Sequence, residues 1–326
     1  MDYAYHRLAR SAPRYTWYKA LLTGLIAGGF YLLLSTVFVV ALFIASFALP
    51  TVFGQFFTRL TTRAIDLADP LTFLFTIGSV ALLLPAIILA RVIMGPRPLG
   101  LLSSVAGRLR WGWLRSLILP ALAVYAVVFA ISFLVVDPLG GAAPLAPKIT
   151  STTWALVIFA IMLTPLQAAA EEFVFRGYLG QAVGGWLKHP AWAILLPVPL
   201  FAIGHDYDLW GLADVALFAI VAGWLSYRTG GLEAAIVAHV INNTALFILG
   251  AFSLTDLNGK GGSPVAILTT VVILAAYSAL VLRKAKRAGL VTVRRVDDAP
   301  SVALLVPADA HPAPIRPEPT RPESSE

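Results

Sequence analysis

The sequence predicts an all-α fold, a polytopic transmembrane helical bundle of about eight spans with a polar cavity formed by the fourth to seventh. Three observations carry this. The 326 residues are 59% hydrophobic and only 13% charged, with a mean hydropathy of +0.82, which excludes a water-soluble globular domain. Apolar runs of membrane-crossing length recur along the chain between short polar loops. Basic residues cluster between and after those runs. With both termini cytoplasmic, only Arg59, Arg63, Lys148 and Lys260 of the 24 Lys and Arg fall outside, and Arg176 lies within the membrane. One span more or fewer would scramble that bias. The net charge of +7 thus orients the chain in a bilayer and does not mark a nucleic-acid surface. An integral protein of the plasma membrane is expected.

Residues 1–19 read as a basic cytoplasmic N-terminus with Tyr15, Trp17 and Tyr18 as interfacial anchors. Residues 20–136 hold the N-terminal transmembrane segments. Ala20–Ala48 exceeds a signal-peptide core of ~7–15 residues and is a retained first span. Leu71–Ala90 is the second and Leu117–Val136 the third, while the basic stretch Arg91–Ser116 between them lies along the membrane surface. Residues 137–252 form the core unit. It contains a Pro/Gly/Ala-rich loop, a fourth span beginning near Trp154 and bending at Pro165, and a short fifth span, Ala191–His205. The sixth, Leu209–Tyr227, and the seventh, Leu232–Phe252, complete it. Residues 253–287 give a Gly-rich loop, the last span Pro264–Leu282 and its basic flank, and 288–326 read as a disordered cytoplasmic tail.

The chain is organised around Ala168–Gly180, AAAEEFVFRGYLG. Ionisable groups at membrane depth cost roughly 2.5–3.5 kcal/mol each on insertion scales and mark function by default. Glu172 and Arg176 are four apart and pair on one helical face, while Glu171 lies about 100° around the helix without a partner in this stretch. One carboxylate is locked and its neighbour is free. Two further stretches bring polar groups into apolar surroundings: Phe201–His205 (FAIGH) and His239–Asn243 (HVINN), in which His239 and Asn243 share a face. A carboxylate, two imidazoles and an amide are the parts needed to activate water and steady an oxyanion. With no cysteine in the chain, thiol nucleophiles, thiolate metal sites and disulfides are excluded.

EEFVFR resembles the EExxxR motif of the CPBP family of intramembrane proteases, which includes the CAAX prenyl endopeptidases and the Abi-type proteins. FAIGH resembles that family's FxxxH and HVINN its Hxxx(N/D), in the family's order, and the similarity runs over roughly Leu117–Ala251. The resemblance implies a membrane-embedded protease in which Glu171 and His205 activate the attacking water. It also implies that His239 and Asn243 steady the oxyanion, with Glu172 and Arg176 as structural support. The substrate would be a membrane peptide or protein, lipidated at a CAAX-type terminus in the prenyl endopeptidases. No cofactor is firmly implied. Glu171, His205 and His239 would also make up a His₂Glu zinc set with an open position for water, so the metal-free and metalloendopeptidase readings both stand.

Two other functions use the same features. A non-catalytic immunity or scaffold protein would keep the fold and bind a membrane peptide, but has no need of Glu171, His205, His239 and Asn243 together. A transporter would line its path with intramembrane charges, yet the polar residues cluster in neighbouring spans and no inverted repeat is apparent. With the termini inside, Glu171 is expected to open toward the cytoplasm and the inner leaflet. Hydropathy alone sets Glu171 and His205 near opposite faces, so the fourth helix must run on to about Gly185, and the fifth, with Pro197 and Pro199, must be short or broken.

Overall fold

The computed structural model describes residues 1–54, 56–62, 65–140 and 146–296. In chain order the helices are α1 (Lys19–Ala48), α2 (Pro50–Phe53), α3 (Phe56–Thr62), α4 (Pro70–Ala81), α5 (Leu83–Met94), α6 (Trp111–Ile131), α7 (Asp137–Leu139) and α8 (Thr153–Glu172). They continue with α9 (Gly180–Trp186), α10 (Pro190–Leu195), α11 (Pro197–Ile203), α12 (Leu209–Thr229), α13 (Glu233–Ala251) and α14 (Pro264–Arg287). A two-stranded antiparallel ribbon joins β1 (Asp2–Ala4) to β2 (Val293–Arg295). The all-α polytopic expectation is met.

Helix starts follow the local chemistry. Asp69, Asp208 and Ser263 each accept a backbone N–H of the helix they precede, and Pro70 and Pro264 occupy first positions where a missing N–H costs nothing. Gly230, at φ 71°, closes α12 in the left-handed region and lets α13 begin three residues later. Pro197 cannot donate to residue 193, so the fifth apolar segment divides into α10 and α11.

Seven stretches are long and apolar enough to cross a membrane: Lys19–Ala48, Pro70–Met94, Trp111–Val136, Thr153–Trp186, Leu209–Thr229, Glu233–Ala251 and Pro264–Arg287. Pro190–Ile203 is shorter. The ribbon decides its role. Asp2 pairs with Arg295, and the terminal ammonium of Met1 donates to the Val296 carbonyl at 2.8 Å, so both ends of the described chain lie on one side. An odd number of crossings would separate them. The short pair α10–α11 therefore makes the eighth crossing. Its fourteen residues rise ~21 Å against a hydrocarbon core of ~30 Å. There Asp208 N–H donates to the Lys260 carbonyl at 2.7 Å, tying the far end to the α13–α14 loop.

Two interior clusters hold the bundle. Leu117, Ala121, Tyr125, Leu225, Ala234, Val237, Ala238, Tyr277 and Val281 join α6, α12, α13 and α14, and Tyr277 Oη donates to the Ala234 carbonyl. Phe73, Ile77, Leu156, Ala160 and Ala251 join α4, α8 and α13. Fully buried Ala168 and Ala170 on α8 and Ala235 on α13 are small residues of the kind that let membrane helices approach closely.

Two segments differ from the sequence expectation. The basic stretch after α5 does not lie along the surface throughout: Arg91 is 4% exposed, Leu101 is buried with Tyr5 and Leu8, and the carbonyl of buried Leu102 accepts from Tyr5 Oη. The N-terminus is not free of the bundle either. Its 3-10 turn, Tyr5–Ser11, packs against α9, because Gly184 leaves room for the His6 carbonyl where a side chain would collide. Of the expected disordered tail, residues 293–295 form β2, and the rest from 297 lies outside the described residues.

Candidate active site

The fourth span runs unbroken across Pro165 from Thr153 to Trp186, so Glu171 and Glu172 lie near its middle. That removes the depth conflict raised by hydropathy. Immediately after the glutamates the helix widens into a π segment, Phe173–Leu179, a distortion frequent at functional sites. Within it Arg176 turns its guanidinium to Glu172 Oε1 at 3.0 Å and lays it over the Phe201 ring at 4.3 Å. Glu172 is fully buried.

The partner of the free glutamate comes from α13. His239 stands between the two carboxylates, with Nδ1 at 2.8 Å from Glu172 Oε1 and Nε2 at 3.4 Å from Glu171 Oε2. A carboxylate only accepts, so Nδ1 carries hydrogen and Nε2 faces Glu171. Phe218 and Phe201 hold the ring at centroid distances of 4.9 and 6.1 Å. The Glu171 side chain is 11% exposed and that of Glu172 is 0%. Only Glu171 can meet a reactant.

Asn243, one turn beyond His239, has its Nδ2 at 3.4 Å from Gln167 Oε1 and receives Asn242 Nδ2 on its own oxygen at 3.1 Å. Gln167 precedes Glu171 by four residues and is 5% exposed, so an amide bridge runs parallel to the Glu171–His239 contact. His205 closes α11. Its Nδ1 donates to the Phe201 carbonyl at 2.9 Å, which leaves a lone pair on Nε2. It forms no hydrogen bond or ion pair with Glu171. The Phe201 ring stands between the two histidines, 4.9 Å from His205 and 6.1 Å from His239.

Two site residues escaped sequence reading. Gln167 was signalled only by its spacing from Glu171 in an apolar run. Tyr207 had no signal beyond its place after FAIGH. Its ring is 5.8 Å from that of His205, and desolvation, then the charges of Glu171 and Asp214, push its hydroxyl above the ordinary tyrosine value.

Among the described residues no three His, Cys, Asp or Glu side chains are grouped as a metal would need. Both ring nitrogens of His239 face carboxylates, and His205 is turned to a backbone carbonyl. The Glu171, His205, His239 set does not fit an ion as it stands.

The side of the site toward the termini is closed. Residues 231–239 are all buried, and Tyr5, Leu101 and Leu232 form a buried cluster flanked by Ala169 and Phe173. Beyond His239, Asn242, Asn243 and Thr244 are partly exposed.

A helical bundle with paired glutamates and a histidine at mid-depth belongs among membrane-embedded proteins with a polar interior site. The comparisons narrow this. Residues 150–245 match the Rce1-like family model, described as type II CAAX prenyl endopeptidase Rce1-like, and bear out the resemblance drawn from the three motifs. Over this segment the chain is similar to a family of CAAX-type intramembrane proteases. The chain is also 32% identical over 117 residues to the uncharacterized protein YyaK of Bacillus subtilis (strain 168). That stretch covers 33% of this chain and 38% of the relative's length. No solved structure matches the chain.

Proposed function

We propose that the protein is an intramembrane endopeptidase acting on a membrane-associated peptide, with a lipidated CAAX-type terminus as the substrate to try first. One observation carries the reading: Glu171, the only partly exposed carboxylate of the pair, faces a histidine that Glu172 and Arg176 hold in place.

In this reading Glu171 takes a proton from water as its oxygen attacks the scissile carbonyl carbon. The lone pair on His205 Nε2 accepts a hydrogen bond from that water and orients it. Asn243 Nδ2 and His239 Nε2, once protonated, stabilise the oxyanion. As the C–N bond breaks, the proton held by Glu171 passes to the departing amine, and the carboxylate is restored. No step requires a metal. Zinc would supply a Lewis acid and a lowered water pKa, but only after His205 and His239 turned toward Glu171.

The test is cleavage of a prenylated CAAX peptide by purified protein in detergent. Wild type should turn over and Glu171→Ala should not, with a loss of at least about a hundredfold. Equal rates in the two would sink the assignment.

Orientation decides which substrates can enter. With the cytoplasmic termini inferred from the basic residues, Asp2 should face inward and Asp206, at the far end of the fifth crossing, outward. Single cysteines introduced at Asp2 and Asp206, both exposed, report this directly. An impermeant thiol reagent should reach Asp206→Cys from outside and Asp2→Cys only from within. Labelling of both from one face would refute eight crossings. Labelling with the two faces exchanged would invert the orientation inferred from the basic residues.

A further inference from the structure

The N-terminal segment reaches deeper than a solvated tail needs to. His6 is 7% exposed, its Nε2 lies 3.1 Å from the Lys188 carbonyl, and its ring meets Tyr227 edge-on at 5.3 Å. Since a carbonyl only accepts, Nε2 carries the hydrogen and Nδ1 presents a lone pair. That Nδ1 is buried and bonds no protein group. Arg176, also 7% exposed, has its Nη2 in the same condition. Both side chains line one cavity of about 20 Å³, together with Tyr5, Phe201, Ser226 and Tyr227. The volume suits about one water, and the walls offer it a donor and an acceptor. Ser226 Oγ donates to the Ala222 carbonyl and keeps acceptor capacity for a third bond.

We propose that a buried water in this cavity joins Arg176 Nη2 to His6 Nδ1, making His6 a positioning residue of the site. The water accepts from the guanidinium and donates to the imidazole. Arg176 is then held at two nitrogens, by Glu172 and by the water, and Glu172 in turn holds His239. The proposal rests on reading Glu171 and His239 as the reacting centre.

The groups facing His6 are Arg7 on its own segment, the Lys188 carbonyl and His189 from the α9–α10 turn, Tyr227 on α12, and Arg176 across the cavity. Burial first, then Arg7 and His189, lower its pKa, and the Lys188 carbonyl opposes them. A histidine whose folded pKa is lowered stabilises the fold fully above about pH 6.5, and this is lost as pH falls through the folded value. Protonation also makes Nδ1 a donor, which a water donating to it cannot accommodate. His6 should add to the acid limb of turnover below about pH 6.5, and that part of the limb should be lost with the imidazole.

The experiment uses the full chain in detergent, with cleavage of a prenylated peptide and thermal unfolding measured on the same samples. His6→Asn keeps an acceptor near the place of Nδ1, whereas His6→Gln keeps the group at Nε2 and loses that acceptor. His6→Gln should lower kcat about tenfold at unchanged KM, and His6→Asn should stay near wild type. The opposite ranking would mean that only the Lys188 tie matters, and would overturn the proposal. A second readout needs no turnover: His6→Gln and Arg176→Lys should be non-additive in thermal unfolding, and strict additivity would overturn the link. If wild type cleaves nothing, the functional reading fails while this cycle still decides the water bridge.

Discussion

Among the described residues two buried glutamate–arginine pairs stand out, and they are built differently. Glu233, at the start of α13, is saturated: its Oε1 accepts Arg110 Nε and the Arg110 backbone N–H at 2.9 Å each, and its Oε2 accepts Nη2 at 2.6 Å. Arg110 spends its remaining donors on the Thr229 and Val291 carbonyls, which binds α6, α12, α13 and the approach to β2 into one knot. Glu172 makes a single contact with Arg176. Its Oε1 serves Arg176 and His239 together, while its Oε2 and Arg176 Nη2 bond no protein group. A pair that only fastens helices can satisfy every donor and acceptor. A pair that holds a reactive histidine must leave capacity unspent. Saturation separates the latch from the site.

The largest effect should follow from breaking the latch. Glu233→Ala strands a largely buried guanidinium and a backbone N–H, at a cost of about 3–5 kcal/mol. Detergent thermal unfolding should show a large fall, and a stable variant would mean that Arg110 finds other partners. Arg176→Ala should cost less, about 1–3 kcal/mol, because Glu172 keeps its bond to His239. Its turnover should nevertheless fall, since the histidine loses half of its anchorage. Equal losses of stability in the two variants would erase the distinction.

What the sequence made legible follows from the range over which each interaction acts. Glu172–Arg176 was readable because a helix brings residues four apart together, and the motifs lay on one apolar run each. The short fifth crossing was foreseen from its prolines. Arg110–Glu233 was not readable, since 123 residues separate the partners and no local rule joins them. The same holds for His239 between the two glutamates, and for His6 beneath Arg176. The π segment is a matter of backbone hydrogen bonding that FVFRGYL does not announce. Composition made residues 1–19 a basic N-terminus with interfacial anchors and gave no sign that it packs inward, whereas Tyr5 and Leu8 are 2% and 0% exposed.

The smallest effect on stability, and the sharpest on the comparison, belongs to Glu171. Its Oε2 lies 3.4 Å from His239 Nε2 and is otherwise unbonded, and among the described residues no Lys or Arg forms an ion pair with it. Glu171→Gln removes a charge held at membrane depth without a salt bridge from Lys or Arg. It keeps the shape of the side chain, and its amide can donate to the lone pair on His239 Nε2. Nothing in the fold should collapse. Groups retained for chemistry at some expense of stability are those whose replacement leaves a protein as stable or slightly more so. Unfolding of Glu171→Gln should therefore fall within about 0.5 kcal/mol of wild type, or above it. Peptide cleavage should disappear in the same preparation. A loss of stability comparable to that of Glu233→Ala would make Glu171 a third latch, and the water-activating role would have to be sought elsewhere in the cavity.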